Sequence, residues 1–510
     1  MALGSDWLGR RARLSPDALA VVDAADGHAW TFATWDPWVC RTARLLQALG
    51  VGRGDRVAVL ARNCVAFLEL WLACGKLGAV LQPFNWRLTA GELQELLADG
   101  EPAVLVHGPE FAALAGSLRT TARRLALASA GTGAEPGEVA LAERDACAAS
   151  PLPELAVGDD DPWVLCYTGG TTGRARAAVL THGSIAWNAL GTAAGWGLRP
   201  DDLAILNAPL FHTGGLNVLT APLLAIGGAS IVCREFSPDQ VFDLLERHPV
   251  TLFFGVPTMF IALQEHPRWA TAPLQRLRMC VSGGAPCPEP VFQRFRERGL
   301  PHFKTGYGLT EAGPNNFWLP DADAPRRPGV VGFPLPHVDA RLVEPDGVTT
   351  CPPGQVGELH LRGPHLCAGY WRRPEATAAA FVDGWLHTGD LARQDPDGAV
   401  AIVGRAKEML ISGGENVYPA EVEGVMMAHP QVVEAALIAV PDPRWGEVGR
   451  AVVVARGVLD PADLLAFMRA RLAGYKIPKS VVQQDALPRT AAGKLDRRAL
   501  TAHHSNNPEE

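Results

Sequence analysis

The chain has 510 residues, too many for one hydrophobic core, so two or more domains are expected. Apolar residues make up 48% and charged residues 20%, the balance of an ordinary globular protein. The net charge is −8, and Lys and Arg are scattered without forming a basic block, which gives nucleic acid no footing as a partner.

The first residues, "MALGSDWLGRRARLSPDALA", lack the apolar run of a secretory signal. "RVAVLA" (56–61) reads as a strand. "CVAFLELWLACGKLGAV" (64–80) reads as a buried helix ending near Gly75. "LQPFN" (81–85) follows, then a helix "AGELQELLADG" (90–100) capped by Gly100, then a strand "AVLVHG" (103–108). This rhythm predicts parallel sheets covered by helices. Residues 129–161, rich in Ala, Gly, Pro and acid, read as a surface connection. A second α/β block spans 202–300. The most apolar stretches, 218–233 and 250–263, are short and broken by Gly, Pro, Ser or Thr, so no membrane span is expected.

From 330 to 403 the pattern shifts to short strands and tight turns, "ARLVEPDG", "GELHLRG" and "GAVAIVG", which predicts an antiparallel region. A compact α+β pattern follows Gly404, with a helix at 420–428, strands at "VVEAALIAV" and "RAVVVA", and a helix at "DPADLLAFMRARLAG". The fold class is therefore α/β. A large N-terminal domain (1–406) is expected to precede a small α+β C-terminal domain (407–510). The ten cysteines form no CxxC pair and have no zinc-ligand spacing. They read as reduced, mostly buried thiols of a cytoplasmic protein.

"CYTGGTTGRARAAVLTH" (166–182) packs three threonines, Thr168, Thr171 and Thr172, and three glycines into six residues. Glycines such as Gly170 and Gly173 let backbone N–H groups turn inward together, the hydroxyls add donors, and Arg176 adds a forked cation. It is no Walker A loop, since the G-x4-G-K-[ST] spacing is missing. On composition alone, a polyphosphate cradle and a plain hairpin loop both stand.

"KTGYGLTEAG" (304–313) sets Tyr307, Thr310 and Glu311 within five residues: a ring to stack on a base, a donor to a phosphate, and a carboxylate for Mg²⁺. "GWLHTGDLA" places Asp390 in a turn suited to a ribose diol. "GRAKEMLISGGENVYPAEVE" (404–423) carries Arg405 and Lys407, and "PRTAAGKLDRRAL" (488–500) carries Lys494 after a Gly. Each is weak alone, because a lone Asp in a turn is usually only a turn residue.

In this order the motifs resemble those of the adenylate-forming superfamily, which includes acyl-CoA synthetases, peptide-synthetase adenylation domains and beetle luciferases. The resemblance runs from about residue 15 to 500. "LISGGENVYP", "GYKIPK" and "PDPRWGEV" look like stand-alone CoA ligases, and the likeness is greatest to fatty-acyl-CoA synthetases. Gly169, Ala175, Arg176 and Ala177 depart from the family loop, where Ser, Pro, Lys and Gly are usual.

The resemblance implies a carboxylic acid, ATP and CoA as substrates, with Mg²⁺. Mg²⁺ falls to Glu311 and Thr168. The β/γ-phosphates fall to Thr168, Gly170, Thr171, Thr172, Gly173 and Arg176, and the α-phosphate to Thr310. Tyr307 with Gly284, Ala285 and Pro286 would flank adenine, Asp390 and Arg405 would hold the ribose, and Lys494 would bridge the carboxylate and α-phosphate. The small domain then rotates about Lys407 and brings Ser412, Gly413, Gly414 and Glu415 to the pantetheine. The acyl pocket would come from 209–217, 253–257, 281–286 and 311–316, which contain no Lys or Arg. His212 would stand near the carboxylate end, unless it is simply a bonded core histidine. Medium- to long-chain fatty acids are the expected substrates, with aryl acids as the alternative. A carrier-protein loader and a non-catalytic binder are the rival classes, and a homodimer is compatible with the sequence.

Overall fold

The computed structural model describes residues 4–128, 137–168, 175–300, 302–412, 414–490 and 495–505. Two seven-stranded sheets form the large part of the chain. The first has the order Val139–Ala140, Arg123–Ala126, Val104–His107, Arg56–Leu60, Val80–Pro83, Pro162–Thr168, Arg176–Thr181. It is parallel except for its last pair, an antiparallel hairpin. The expected connection 129–161 is partly structured. Its described part supplies the edge strand Val139–Ala140 and the 3₁₀ turn Leu141–Ala146.

The second sheet takes five strands from the block 203–305 and two from the start of the chain. Leu19–Asp23 lies parallel to Ala229–Val232, with Val21 opposite Ser230. The sequence gives no sign of this long-range pairing, because each strand looks the same whichever neighbour it finds. The sheets share one core. Phe32, Phe67, Trp71 and Trp163 pack there with Val57 and Val59 of the first sheet and Val21, Leu206 and Val232 of the second.

The helix Val65–Leu77 crosses that core and is buried along its length. It ends at Gly78, whose φ of +62° makes the left-handed cap, and not near Gly75. Gly75 is a packing residue, since a Cβ there would stand 2.8 Å from Cζ2 of Trp163. Likewise Gly100 is the last helical residue of Ala90–Gly100, and Glu101 (φ +47°) takes the cap position. A Cβ on Gly100 would overlap the Gln82 side chain. In both places glycine answers a close approach that sequence alone reads as a stop. The two charges on the buried helix are paired. Lys76 Nζ meets Asp36 Oδ1 at 2.8 Å and also Asp6, and Glu69 pairs with Arg144. Burial would lower the Lys76 pKa, but Asp36 and Asp6 more than offset it and hold it raised.

A five-stranded sheet follows, with Val356–Arg362 between Asp339–Val343 and Trp385–Gln394, all antiparallel as expected. After the strand Val400–Arg405 comes the short turn Ala406–Glu408, then a last five-stranded sheet with helices Pro419–Met427 and Pro461–Arg469. Its core, including Leu410, Val422, Met426, Leu437, Val453 and Leu464, uses only residues from 410 onward. Arg456 reaches back to Glu265 at 2.8 Å in an exposed ion pair, a type of contact worth at most about 1 kcal/mol. Among the described residues no helix is long and apolar enough to cross a membrane.

Candidate active site

Asp390 lies in the strand Trp385–Gln394, directly opposite Arg405 of Val400–Arg405. Its carboxylate is nearly buried. Tyr307 Oη donates to Oδ2 at 2.7 Å, and Arg405 Nε lies 3.0 Å from Oδ1. The turn before it is braced. Gly389 takes φ +70°, Gly389 N–H donates to Glu358 Oε1 at 3.0 Å, and Asp390 N–H donates to Thr388 Oγ1 at 3.1 Å. Burial and the Asp390 charge push the Tyr307 phenol well up, so it remains a donor. The structure thus brings Tyr307, Asp390 and Arg405 together. It adds Thr388 and Glu358, which sequence reading missed.

The Thr- and Gly-rich stretch falls between the two strands of the antiparallel hairpin, in which Thr168 stands opposite Arg176. Gly170, Thr171, Thr172 and Gly173 lie outside the described residues. Thr168 Oγ1 donates to Arg176 O at 3.3 Å. The Arg176 guanidinium stands 5.7 Å from the Tyr370 ring centre, and Tyr370 Oη donates to Glu311 Oε1 at 2.7 Å. Cys367 N–H donates to the Glu311 carbonyl at 2.8 Å. Burial, then the Glu311 charge, push the Tyr370 phenol up. Thr310 meets Cys166 beneath, a thiol pushed up to about 12 by burial and therefore inert. The donors here fit Mg²⁺, which prefers oxygen ligands: a carboxylate with one oxygen already oriented, and the hydroxyl of Thr168 at the end of its strand. Tyr370, which the sequence reading overlooked, is the side chain bonded to the Glu311 carboxylate. The signal available was the aromatic pair after a glycine in "GYW" (369–371).

His212 takes the N-cap position of the short helical turn Thr213–Gly215, and its ring lies against Phe211 at 4.5 Å. A π-helical turn, Leu216–Thr220, follows, and Ala221 N–H donates to Leu216 O. Such turns open the backbone locally and recur at functional sites. Gly215 is obligatory, since a Cβ would press on Pro209 O. The half-buried Phe254 lies between two other glycines. A Cβ would stand 3.6 Å from its ring at Gly214 and 3.0 Å at Gly283. Gly284, with φ +80°, Ala285 and Pro286 are exposed beside it. A water-sized void of about 10 Å³ sits behind Gly214, Gly215 and Phe254. Asn207 separates it from an open cavity of about 400 Å³ reaching Met259, Trp86, Arg87 and Arg234. These two arginines come from outside the four segments expected to build the pocket.

Farther along the chain, Lys407 is exposed in the turn Ala406–Glu408. Ser412 pairs with Glu415 across a hairpin whose turn includes Gly414 (φ +87°), and Ser412 also pairs with Gly446. Gly413 and Lys494 lie outside the described residues.

Residues 8–371 match the AMP-binding enzyme family, and residues 421–494 match the AMP-binding enzyme C-terminal domain. A feruloyl-CoA synthase from Amycolatopsis sp is 47% identical over 97% of this chain and 97% of its own length. The long-chain-fatty-acid–CoA ligase FadD13 of Mycobacterium tuberculosis is 35% identical over 98% of each chain. The structure is similar to that of ATP-bound MatB from Rhodopseudomonas palustris, with a TM-score of 0.88, 35% identity and 99% of each chain covered. The chain belongs to the AMP-binding enzyme family. Within it, the protein is an acid–thiol ligase that joins acyl or aryl carboxylates to coenzyme A and uses ATP with Mg²⁺.

Proposed function

We propose that this ligase activates an aromatic carboxylic acid. The observation that carries the reading is the setting of Phe254. Its ring edges pack against Gly214 and Gly283, so the half-buried ring is held in place with no side chain from either glycine laid over it. A fixed, partly exposed ring of that kind favours a flat aromatic partner, which gains stacking contacts as well as burial. The likeness to a feruloyl-CoA synthase supports it. Medium- to long-chain fatty acids are the second reading. It is favoured by the cavity of about 400 Å³ beyond Asn207 and by the 35% identity to a long-chain-fatty-acid ligase.

The chemistry assigned to the residues is as follows. Tyr307 and Arg405 fix the Asp390 carboxylate so that it accepts from the ribose hydroxyls, while Gly284, Ala285 and Pro286 flank adenine. Glu311, oriented by Tyr370, and Thr168 hold Mg²⁺, which when bound offsets charge on the phosphate oxygens. Arg176 and the loop 168–173 donate to the β- and γ-phosphates, and Thr310 to the α-phosphate. Lys494 spans the acid carboxylate and the α-phosphate as the carboxylate attacks phosphorus and pyrophosphate leaves. The small domain, 407–510, then turns about Lys407 and presents the 412–415 hairpin to the thiol of CoA. His212 stands at the carboxylate end of the pocket. The ten unpaired thiols support a cytoplasmic setting.

The test is CoA-dependent AMP release across cinnamic, benzoic, octanoic and palmitic acids. The expected result is a kcat/KM at least about tenfold higher for the best aryl acid, a difference one stacked ring can supply. A fatty acid at the head of that series overturns the reading. Replacing CoA with a phosphopantetheinyl carrier protein should abolish turnover.

A further inference from the structure

Two histidines meet, on the antiparallel sheet, the glutamate that braces the turn before Asp390. Glu358 and His360 are two apart on Val356–Arg362, so their side chains share one face. His387, on Trp385–Gln394, is the register partner of His360. The two imidazoles stack with centres 3.8 Å apart and planes 13° apart. One ligand atom from each of the three residues can be chosen so that all lie within 4.8 Å of one another. His360 is fully buried, yet neither Nδ1 nor Nε2 has a hydrogen-bond partner among the described residues. Its closest carboxylate contact, Glu358 Oε1, is 3.8 Å from Nε2 and beyond bonding range. Buried polar groups are seldom left unpaired, and two unpaired nitrogens on one ring facing a carboxylate and a second imidazole need an explanation.

We propose that Glu358, His360 and His387 bind one divalent transition-metal ion of the Zn²⁺ class, separate from the Mg²⁺ of the reaction. Two imidazole nitrogens and one carboxylate oxygen are the donor set that Zn²⁺, Co²⁺ and Ni²⁺ favour, whereas Mg²⁺ takes oxygen ligands and keeps its waters. Three protein ligands leave a fourth position for water. A metal lies in the plane of each imidazole it binds, so two stacked rings cannot share it as they stand. His387 is half-buried whereas His360 is fully buried, so His387 is the ring that must turn. Binding therefore unstacks the pair and draws the three donors closer. The same Glu358 carboxylate accepts the Gly389 N–H one residue before Asp390, so occupancy bears on the turn that sets Asp390.

The test uses untagged full-length protein, excess Mg²⁺ and Co²⁺ as the probe. The expected result is one equivalent of Co²⁺ with the intense visible bands of a nitrogen-ligated, low-coordinate ion. His387→Ala and His360→Ala should each weaken binding by at least about tenfold, with Mg²⁺-dependent pyrophosphate release still measurable. Should the buried His360 variant fail to fold, His387→Ala, near the surface, decides the matter alone. Weak octahedral bands in the wild type, or an unchanged Co²⁺ affinity in His387→Ala, overturn the proposal.

Discussion

Tyr370 Oη donates a 2.7 Å hydrogen bond to Glu311 Oε1, and the same ring sits 5.7 Å from the guanidinium of Arg176. One phenol therefore touches the carboxylate assigned to Mg²⁺ and the arginine assigned to phosphate. Tyr370→Phe keeps the ring and deletes the bond. A hydrogen bond to a charged group is worth about 1.5–3 kcal/mol, so the Mg²⁺ concentration for half-maximal pyrophosphate release should rise by roughly 10- to 100-fold. Near wild-type stability is expected, because Glu311 is also anchored through its backbone to Cys367. An unchanged Mg²⁺ titration would remove Tyr370 from the positioning of Glu311.

Asp390 is buried, but its cationic partner Arg405 is exposed. Asp390→Asn thus leaves no buried charge uncompensated, and the melting temperature should move little. The ribose contact is what it should lose. The KM for ATP is expected to rise about tenfold or more, with the KM for the acid nearly constant. Equal rises in both would point to a general distortion of the site.

Lys494→Ala separates the two half-reactions. Adenylation should fall by about 10²-fold or more, since the lysine is assigned to charge that develops only in that transition state. Thioester formation from supplied acyl-adenylate should survive. A matched loss in both steps would sink the assignment.

Lys304 is buried, paired with Asp321 and set 3.3 Å over the Trp318 ring. Burial pulls its pKa down to about 8 despite that pairing. The folded state therefore binds a proton more weakly there than the unfolded chain, whose lysines titrate near about 10.4. The penalty is complete below pH ~8 and fades as pH rises through ~8 to ~10.4. Asp321 is largely exposed, so Lys304→Met strands no buried charge. The variant should melt higher than the wild type at pH 7, and the gap should shrink by pH 10. A gap that widens with pH contradicts this reading.

The sequence reveals what repeats locally or lies within one motif. Strand–helix alternation gives the α/β class, and "YGLTE" and "TGD" name two groups that the fold then places 2.7 Å apart, Tyr307 and Asp390. It hides whatever depends on a distant neighbour. Gly75 and Gly100 look like stops because nothing local points to Trp163 or Gln82. Tyr370 is 59 residues from Glu311, and the aromatic pair in "GYW" could mark the residue but not its partner. Cysteine spacing speaks only to a cysteine-ligated zinc site, and it says nothing of His360 and His387, which become neighbours only through sheet register.

The parallel pairing of Val21 with Ser230 also sets the order in which the molecule can be made. When the first strand leaves the ribosome, its partner has yet to be synthesised. About two hundred further residues must follow, which takes roughly 10–40 s at about 5–20 residues per second. For that interval "LAVVD" is an apolar strand with only the short hairpin strand Ala29–Thr31 within reach. The first sheet can assemble meanwhile, since all its strands lie within residues 56–181. The second must wait. The nascent chain therefore carries an unpaired strand edge at its front through much of its synthesis, and that is the surface a chaperone would have to shield.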